Sequence, residues 1–266
     1  MVAQVLTKLK ERPKYFISRV LMLLLLLWYF FFSIPTPLFK KPSSTIVLSR
    51  DGQLLGGLIA EDEQWRFPLS DTIPQKVKQC ILHFEDEYFY KHPGINPVSL
   101  GRAIVQNIKA KEIVSGASTI TMQTVRLAKN NPPRTFWQKL VEMIQATRVE
   151  MHYSKDKILN MYLSNAPFGG NTVGVEAAAW RYYERLSGNL SWGEAATLAV
   201  LPNAPALIYP GKNQDKLLLK RNKLLHKLTQ KGIIDQITLE LALNEPLPKN
   251  PKRIPQKIPH LLQKIN

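Results

Sequence analysis

The chain has 266 residues, with 36 Lys+Arg against 20 Asp+Glu, a formal charge of +16, and 45% hydrophobic residues. That length carries one substantial domain plus an anchor and excludes two large enzymatic domains; the composition excludes a disordered chain. The single cysteine, Cys80, excludes an internal disulfide and reads as a core residue, and the five His show no zinc-type spacing.

Residues 1–19 form a basic segment carrying Lys8, Lys10, Arg12, Lys14 and Arg19. VLMLLLLLWYFFFSI, residues 20–34, is uncharged. Extended through Leu38 and Phe39, the stretch 20–39 reaches the roughly 20 residues that a transmembrane anchor needs. Positive charge in front of it predicts a cytoplasmic N-terminus and an exported, periplasmic bulk in a single-pass protein of the bacterial inner membrane. A cleaved signal peptide is the alternative; the run is long, rich in aromatics and lacks a small-x-small cleavage site. The strong positive charge calls for an anionic partner. Export argues against nucleic acid and for a membrane-linked phosphate substrate.

Residues 40–72 read as a linker and a small β hairpin, with a DG turn at Asp51-Gly52 between β-prone runs. A mainly helical domain follows over 73–245. IPQKVKQCILHF repeats Val77, Cys80, Ile81 and Phe84 at helical spacing. NPVSLGRAIVQNIKAK opens with Asn96 as N-cap and Pro97 at N1, and predicts a buried stripe of Leu100, Ile104, Val105 and Ile108. FWQKLVEMIQATRVEMHY repeats that pattern with Trp137, Leu140, Val141, Ile144 and Met151. SKDKILNMYL is capped by Ser154. SWGEAATLAVL begins with a capping box, Ser191 to Glu194, and ends at Pro202. Residues 216–231 form a basic amphipathic helix. The tail 246–266 is rich in Pro and Lys and reads as extended. Both basic segments are either a surface resting on anionic lipid or a solvated face with a leftover linker.

HFEDEYFYKHPG, residues 83–94, crowds Glu85, Asp86 and Glu87 at a helix C-terminus, where the dipole disfavours carboxylates. Partial burial against Phe84, Tyr88 or Phe89 would push a carboxyl towards neutrality, which suits an acid or base. An ordinary acidic helix end paired with the abundant cations is the plainer reading. The spacing E-D-x-x-F-x-x-H-x-G fixes Glu85, Asp86, Phe89, His92 and Gly94, a match expected by chance roughly once in a few million start sites. Glu142 lies off its helix's apolar stripe with Lys139 three residues back, which also fits a solvated ion pair. Ser118, Thr119 and Gln123 are hydrogen bonders beside Gly116, which also fits a helix cap. His92 is a loop brace rather than an acid.

The first motif resembles the opening signature of the peptidoglycan glycosyltransferases, glycosyltransferase family 51. SGASTITMQ (115–123), QKLVE (138–142), SKDKILNMYL (154–163) and GVEAAAWRYY (174–183) resemble the later signatures, in order, over residues 45 to 245. Met122 and NAPFGGNTVGVEAAA look most like the penicillin-binding protein 1C branch. The resemblance implies a lysozyme-like, mainly α glycosyltransferase domain whose cleft separates a larger lobe from a smaller, membrane-embedded one. The reaction implied is polymerisation of lipid II into a growing glycan strand by an inverting hexosyltransferase. Glu85 would be the general base and Glu142 would assist departure of undecaprenyl pyrophosphate, directly or through a divalent metal (Mg or Mn); the chain's own residues provide no metal motif. Asp86, Phe89, Ser118, Thr119, Gln123, Arg126 and Lys139 would bind substrate, the two cations neutralising pyrophosphate. Other cell-wall synthesis proteins are further candidate partners.

Two positions depart from the family's pattern. Gln138 stands for the Arg of R-K-x-x-E, and Ser164 interrupts Y-L-N before Asn165. Neither removes a carboxylate. The transpeptidase marks S-x-x-K, at Ser154–Lys157, and S-x-N, at Ser187–Asn189, fall inside the glycosyltransferase pattern without K-[ST]-G after them, and read as accidents; the transpeptidase domain itself is expected to be lacking. Two alternatives stay open: a lysozyme-like enzyme that cleaves finished glycan, against which the cations of STITMQ and QKLVE weigh, and a catalytically degenerate partner of cell-wall synthases, which Gln138 and Ser164 favour.

Overall fold

The structure, a computed structural model, describes residues 13–32, 34–68, 72–110, 118–133, 135–203 and 205–265. Most of the basic segment 1–19 and the start of SGASTITMQ lie outside them. The chain is mainly helical with a few short strands. Helix α1 spans Pro13–Phe32. Strands β1 (Thr45–Leu48) and β2 (Leu54–Leu58) pair antiparallel across the Asp51-Gly52 turn, as the DG signal predicts, and β3 (Trp65–Arg66) pairs in parallel with β4 (Thr172–Val173). The remaining helices are α2 (Gln75–Glu85), α3 (Pro97–Ala110), α4 (Ile120–Ala128), α5 (Phe136–His152), α6 (Lys155–Asn165), α7 (Val175–Tyr183), α8 (Trp192–Val200), α9 (Gln214–Gln230), α10 (Gln236–Asn244) and α11 (Pro259–Ile265).

The core is built on α8, whose small residues let its neighbours approach. Ala195, Ala196 and Ala199 are buried, and α2, α9 and α10 pack around them. Cys80 is buried in this core, as its helical context predicts. A side chain on Gly193 would come within 2.9 Å of the Ala242 carbonyl of α10, so the α8–α10 contact needs glycine there. Buried Arg221 of α9, 1% exposed, donates to the carbonyls of Leu243 and Glu245 and so caps α10. A second group of helices packs α4 against α5 and α6.

The local start signals hold. Ser154 accepts from Lys157 N–H, and Ser191 and Glu194 form the capping box. The Asn96 side chain accepts from Ser99 N–H at 3.0 Å. Ser154 is therefore a helix cap, and buried Ser187 is bonded to the Glu176 carboxylate, which accounts for both transpeptidase-like letter matches.

The stripe predicted on α2 is buried at Val77, Cys80 and Ile81, but of those predicted on α3 and α5 only Leu100 and Leu140 are even half-buried among the described side chains. On α3, Val105 is exposed and Ile108 is 71% exposed; the Ile104 side chain lies outside the described residues. On α5, Trp137 is 73% exposed, and Val141, Ile144 and Met151 are exposed with it. The residues α5 buries are Glu142, Ala146, Arg148 and Val149. The helical period is there, but the large apolar residues face out, while α5 turns Glu142 and Arg148 inward together with the small Ala146 and Val149.

The tail is not a free linker. Lys257 N–H donates to the Leu55 carbonyl at 2.9 Å, and Gln256 bridges Gly56, so the tail borders β2. Leu262 of α11 then packs on Gly56 and is buried.

Helix α1 ends at Phe32, before Pro35 and Pro37, which cannot continue it. Its described side chains, Tyr15 to Phe30, are exposed apart from contacts such as Phe30 with the Arg148 guanidinium, 4.4 Å away. Among the described residues, no helix is long and apolar enough to cross a membrane.

Candidate active site

The three acids at the end of α2 part company, and each finds a different partner. Glu85 is the last residue of α2, and the chain breaks from helix at Asp86. The Asp86 carboxylate turns to the start of α4 and accepts from Ile120 N–H at 3.1 Å. It thus leaves the unfavourable end of one helix dipole for the favourable end of another. Asp86 also contacts His92 Nε2, 3.0 Å from both oxygens. Glu87 turns outward to Lys227 at 2.9 Å and Lys231 at 2.6 Å. These hydrogen bonds, Lys231's first, hold its carboxyl down at about 2.

Glu85 keeps one committed partner. Gln123 Nε2 donates to its Oε2 at 2.7 Å, while Oε1 is covered and has no hydrogen-bond partner. Burial raises its pKa above the ordinary 4.5, and Asp86 adds to that; the Gln123 hydrogen bond, Lys220 and Arg126 oppose it. The result is a carboxyl poised to take a proton. Gln123 is itself oriented by Tyr162, whose hydroxyl lies 3.5 Å from Gln123 Oε1.

The loop between α2 and α3 is held rigidly. Thr119, the N-cap of α4, donates to the Gly94 carbonyl at 2.6 Å and accepts from Met122 N–H at 3.1 Å. Gly94 has φ +87, and a Cβ there would meet the Ala146 backbone at 2.9 Å, so the fixed glycine of the motif serves a close approach to α5. Lys155 Nζ donates to the His92 carbonyl and to Glu150, each at 2.7 Å, and lies over the Phe89 ring. Phe89 is wholly buried, so it packs under the loop instead of touching substrate. His92 is a brace, through Asp86 and its own carbonyl.

A cavity of about 130 Å³ opens here, lined by Glu85, Asp86, Ser118 and Thr119 together with Arg102 and Lys227. Gln123 joins through its hydrogen bond and Arg126 through its charge. Lys139 and Glu142 lie on α5, which packs against α4, and neither is in this lining. Glu142 is only 5% exposed, so it is not half of a solvated pair with Lys139. Gln138 starts α5 by donating its N–H to Thr135 at 3.1 Å, and Ser164 bonds back to the Asn160 carbonyl at 2.8 Å. Among the described residues, no three His, Cys, Asp or Glu side chains gather as metal ligands.

The basic amphipathic helix read over 216–231 is α9, but its place at the site was not legible in the sequence. Its apolar residues Leu217, Leu224, Leu225 and Leu228 are buried, and two lysines flanking that face, Lys220 and Lys227, reach towards the site while partly exposed. The available signal was the helical offset of these lysines from the leucines; their partners lie far away in the chain.

These features sit within a recognisable family. The Transglycosylase family profile matches residues 51–229, a span holding all the site residues above except Lys231. Penicillin-binding protein 1C of Escherichia coli (strain K12) is 36% identical over 226 residues, 85% of this chain and 29% of that protein. Penicillin-binding protein 4 of Bacillus subtilis (strain 168) is 31% identical over 84% of this chain and 36% of its own length. Penicillin-binding protein 1A of Aquifex aeolicus (strain VF5) is 38% identical over 77% of this chain and 28% of its own. The crystal structure of penicillin-binding protein 1A from Haemophilus influenzae aligns with 85% of this chain and 24% of its own, at a TM-score of 0.42 and 19% identity, a likeness too slight to argue from. The chain belongs to the Transglycosylase family. It spans well under half the length of these relatives.

Proposed function

We propose that this chain polymerises lipid II into glycan strands, on a lysozyme-like domain held at the bacterial inner membrane by the apolar segment 20–39, with its N-terminus in the cytoplasm. The observation that carries the reading is Glu85, half-buried, its pKa raised by burial, with one oxygen tied to Gln123 and the other covered and unbonded. Glu85 takes the proton from the 4-hydroxyl of the acceptor sugar. The freed oxygen attacks C1 of the lipid-linked donor from the face opposite the leaving group. The C1–O bond to pyrophosphate breaks, the configuration inverts, and undecaprenyl pyrophosphate departs with the bonding pair. This is the two-carboxylate logic of inverting glycosidases with a sugar hydroxyl in place of water. Glu142 assists the departure, and Arg126 and Lys139 offset the charge that develops on pyrophosphate.

The outward apolar faces of α3 and α5 suit the same role. Val98, Val105, Ile108, Phe136, Trp137 and Ile144 are exposed, more apolar surface than a soluble face needs, and they would rest in lipid beside α1. A substrate with a polyprenyl tail enters from that side.

The test is to give the detergent-solubilised chain labelled lipid II in one reaction and finished glycan strands in another. Elongation of the first and no shortening of the second is expected. Shortening of finished strands would make the chain a glycan-cleaving enzyme. Inertness of folded protein towards both would leave a degenerate partner of cell-wall synthases.

A further inference from the structure

Lysines on one face of α9 converge on the end of α2, and the catalytic reading does not use them. Lys227 Nζ donates to the His83 carbonyl at 2.6 Å and lies 2.9 Å from one Glu87 oxygen. Lys231 Nζ reaches the other Glu87 oxygen at 2.6 Å. Lys227 and Lys231 are four residues apart and grip residues 83 and 87, two positions either side of Glu85, the last residue of α2. Leu224 and Leu228, on the same side of α9, are buried and hold the helix against α2.

Exposed ion pairs contribute little to stability, and Glu87 and Lys227 both keep part of their surface in solvent. What the contacts fix is geometry. The last carbonyls of a helix have no partner inside it, and such an end frays unless something holds it. Lys227 holds the His83 carbonyl, and both lysines hold Glu87. Glu85 lies between these two grips, with its carboxylate on Gln123. The low pKa of Glu87 keeps its carboxylate charged at neutral pH.

We infer that the Glu87–Lys227–Lys231 clamp is a positioning device that fixes the end of α2 and so aims the Glu85 carboxylate into the cleft. It rests on the reading of Glu85 as the base. Glu87 and the lysines touch no reacting atom; they act through the backbone on either side of Glu85.

The full chain is made as Glu87→Gln, Lys227→Met, Lys227→Arg and the double variant Glu87→Gln/Lys227→Met. Each is assayed for lipid II polymerisation, melting temperature and amide hydrogen exchange over residues 80–90. The clamp predicts a kcat lower by about ten- to a hundredfold in Glu87→Gln and Lys227→Met, the scale expected when a catalytic group is misplaced by about an ångström. KM and melting temperature stay near the parent's, Lys227→Arg keeps most of the activity, and the double variant is no worse than the poorer single one. Exchange at residues 84–88 quickens. Unchanged kcat overturns the inference, as does a raised KM at constant kcat, which would make Lys227 a substrate contact. A kcat loss that only follows loss of folded protein overturns it too. If the parent itself makes no polymer, the proposed reaction fails, and exchange alone judges the clamp: quickened exchange upholds it and unchanged exchange sinks it.

Discussion

Glu85 pays for its position, because its burial disfavours the charge it must carry at neutral pH. A pKa raised in the folded state stabilises below the unfolded value and loses that contribution as pH rises through the folded one. At pH 7 the ionised Glu85 is therefore a burden on the fold. Glu85→Gln keeps the shape, removes the charge and should melt a few degrees higher at pH 7. The gain should shrink as pH falls towards 4.5, the ordinary value. A lower melting temperature at pH 7 would mean that the carboxylate is a structural partner and not a poised base. Lys220 gives a second residue-level check. It is half-buried, donates to Asn203 at 2.8 Å, and its charge favours ionised Glu85. Lys220→Met should move the acid limb of the kcat/KM profile to higher pH; a limb that stays in place would rule Lys220 out as an influence on Glu85. Glu85 and Asp86 were legible from the spacing of one short motif and Thr119 and Gln123 from that of another; that Gln123 meets Glu85 across 38 residues was not. Lys227 was not, since it meets His83 across 144 residues, and no local pattern announces such a contact.

Helix α5 carries the main lesson at the scale of elements. Its period was legible in Trp137, Val141, Ile144 and Met151, but the direction of its apolar side was not. Periodicity says that a helix has two faces; it does not say whether the apolar one meets a core or a membrane. Here Glu142 and Arg148 face inward and the aromatics face out. Replacing Phe136 and Trp137 together by Ser should weaken flotation with anionic lipid vesicles while leaving the melting temperature within about a degree, because exposed side chains add little to folding. Equal flotation of parent and variant would refute a lipid-facing role for α5. The tail went unread for another reason. Its prolines leave no period to recognise, and it is ordered by single hydrogen bonds to β2 and by Leu262 on Gly56. Leu262→Ala should cost about 2–5 kcal/mol in denaturant unfolding, the range for truncating a buried leucine. A cost near zero would show that α11 does not share in the cooperative fold.

Across the whole molecule, charge and function meet in a simple layout. A net charge of +16 surrounds a small group of acids, and three of those acids stand together at the cleft. Asp86 is spent on α4 and Glu87 on α9, which leaves Glu85 with a bare oxygen to receive a proton. The most direct measurement is the release of undecaprenyl pyrophosphate from labelled lipid II by the parent chain and by Glu85→Gln, side by side, with the folded state of both checked by melting. The account predicts steady release with polymer from the parent, and a fall of about a hundredfold or more in a variant that melts no lower, the scale on which a positioned general base contributes. Equal release from the two proteins would contradict it, and would move the base to another residue.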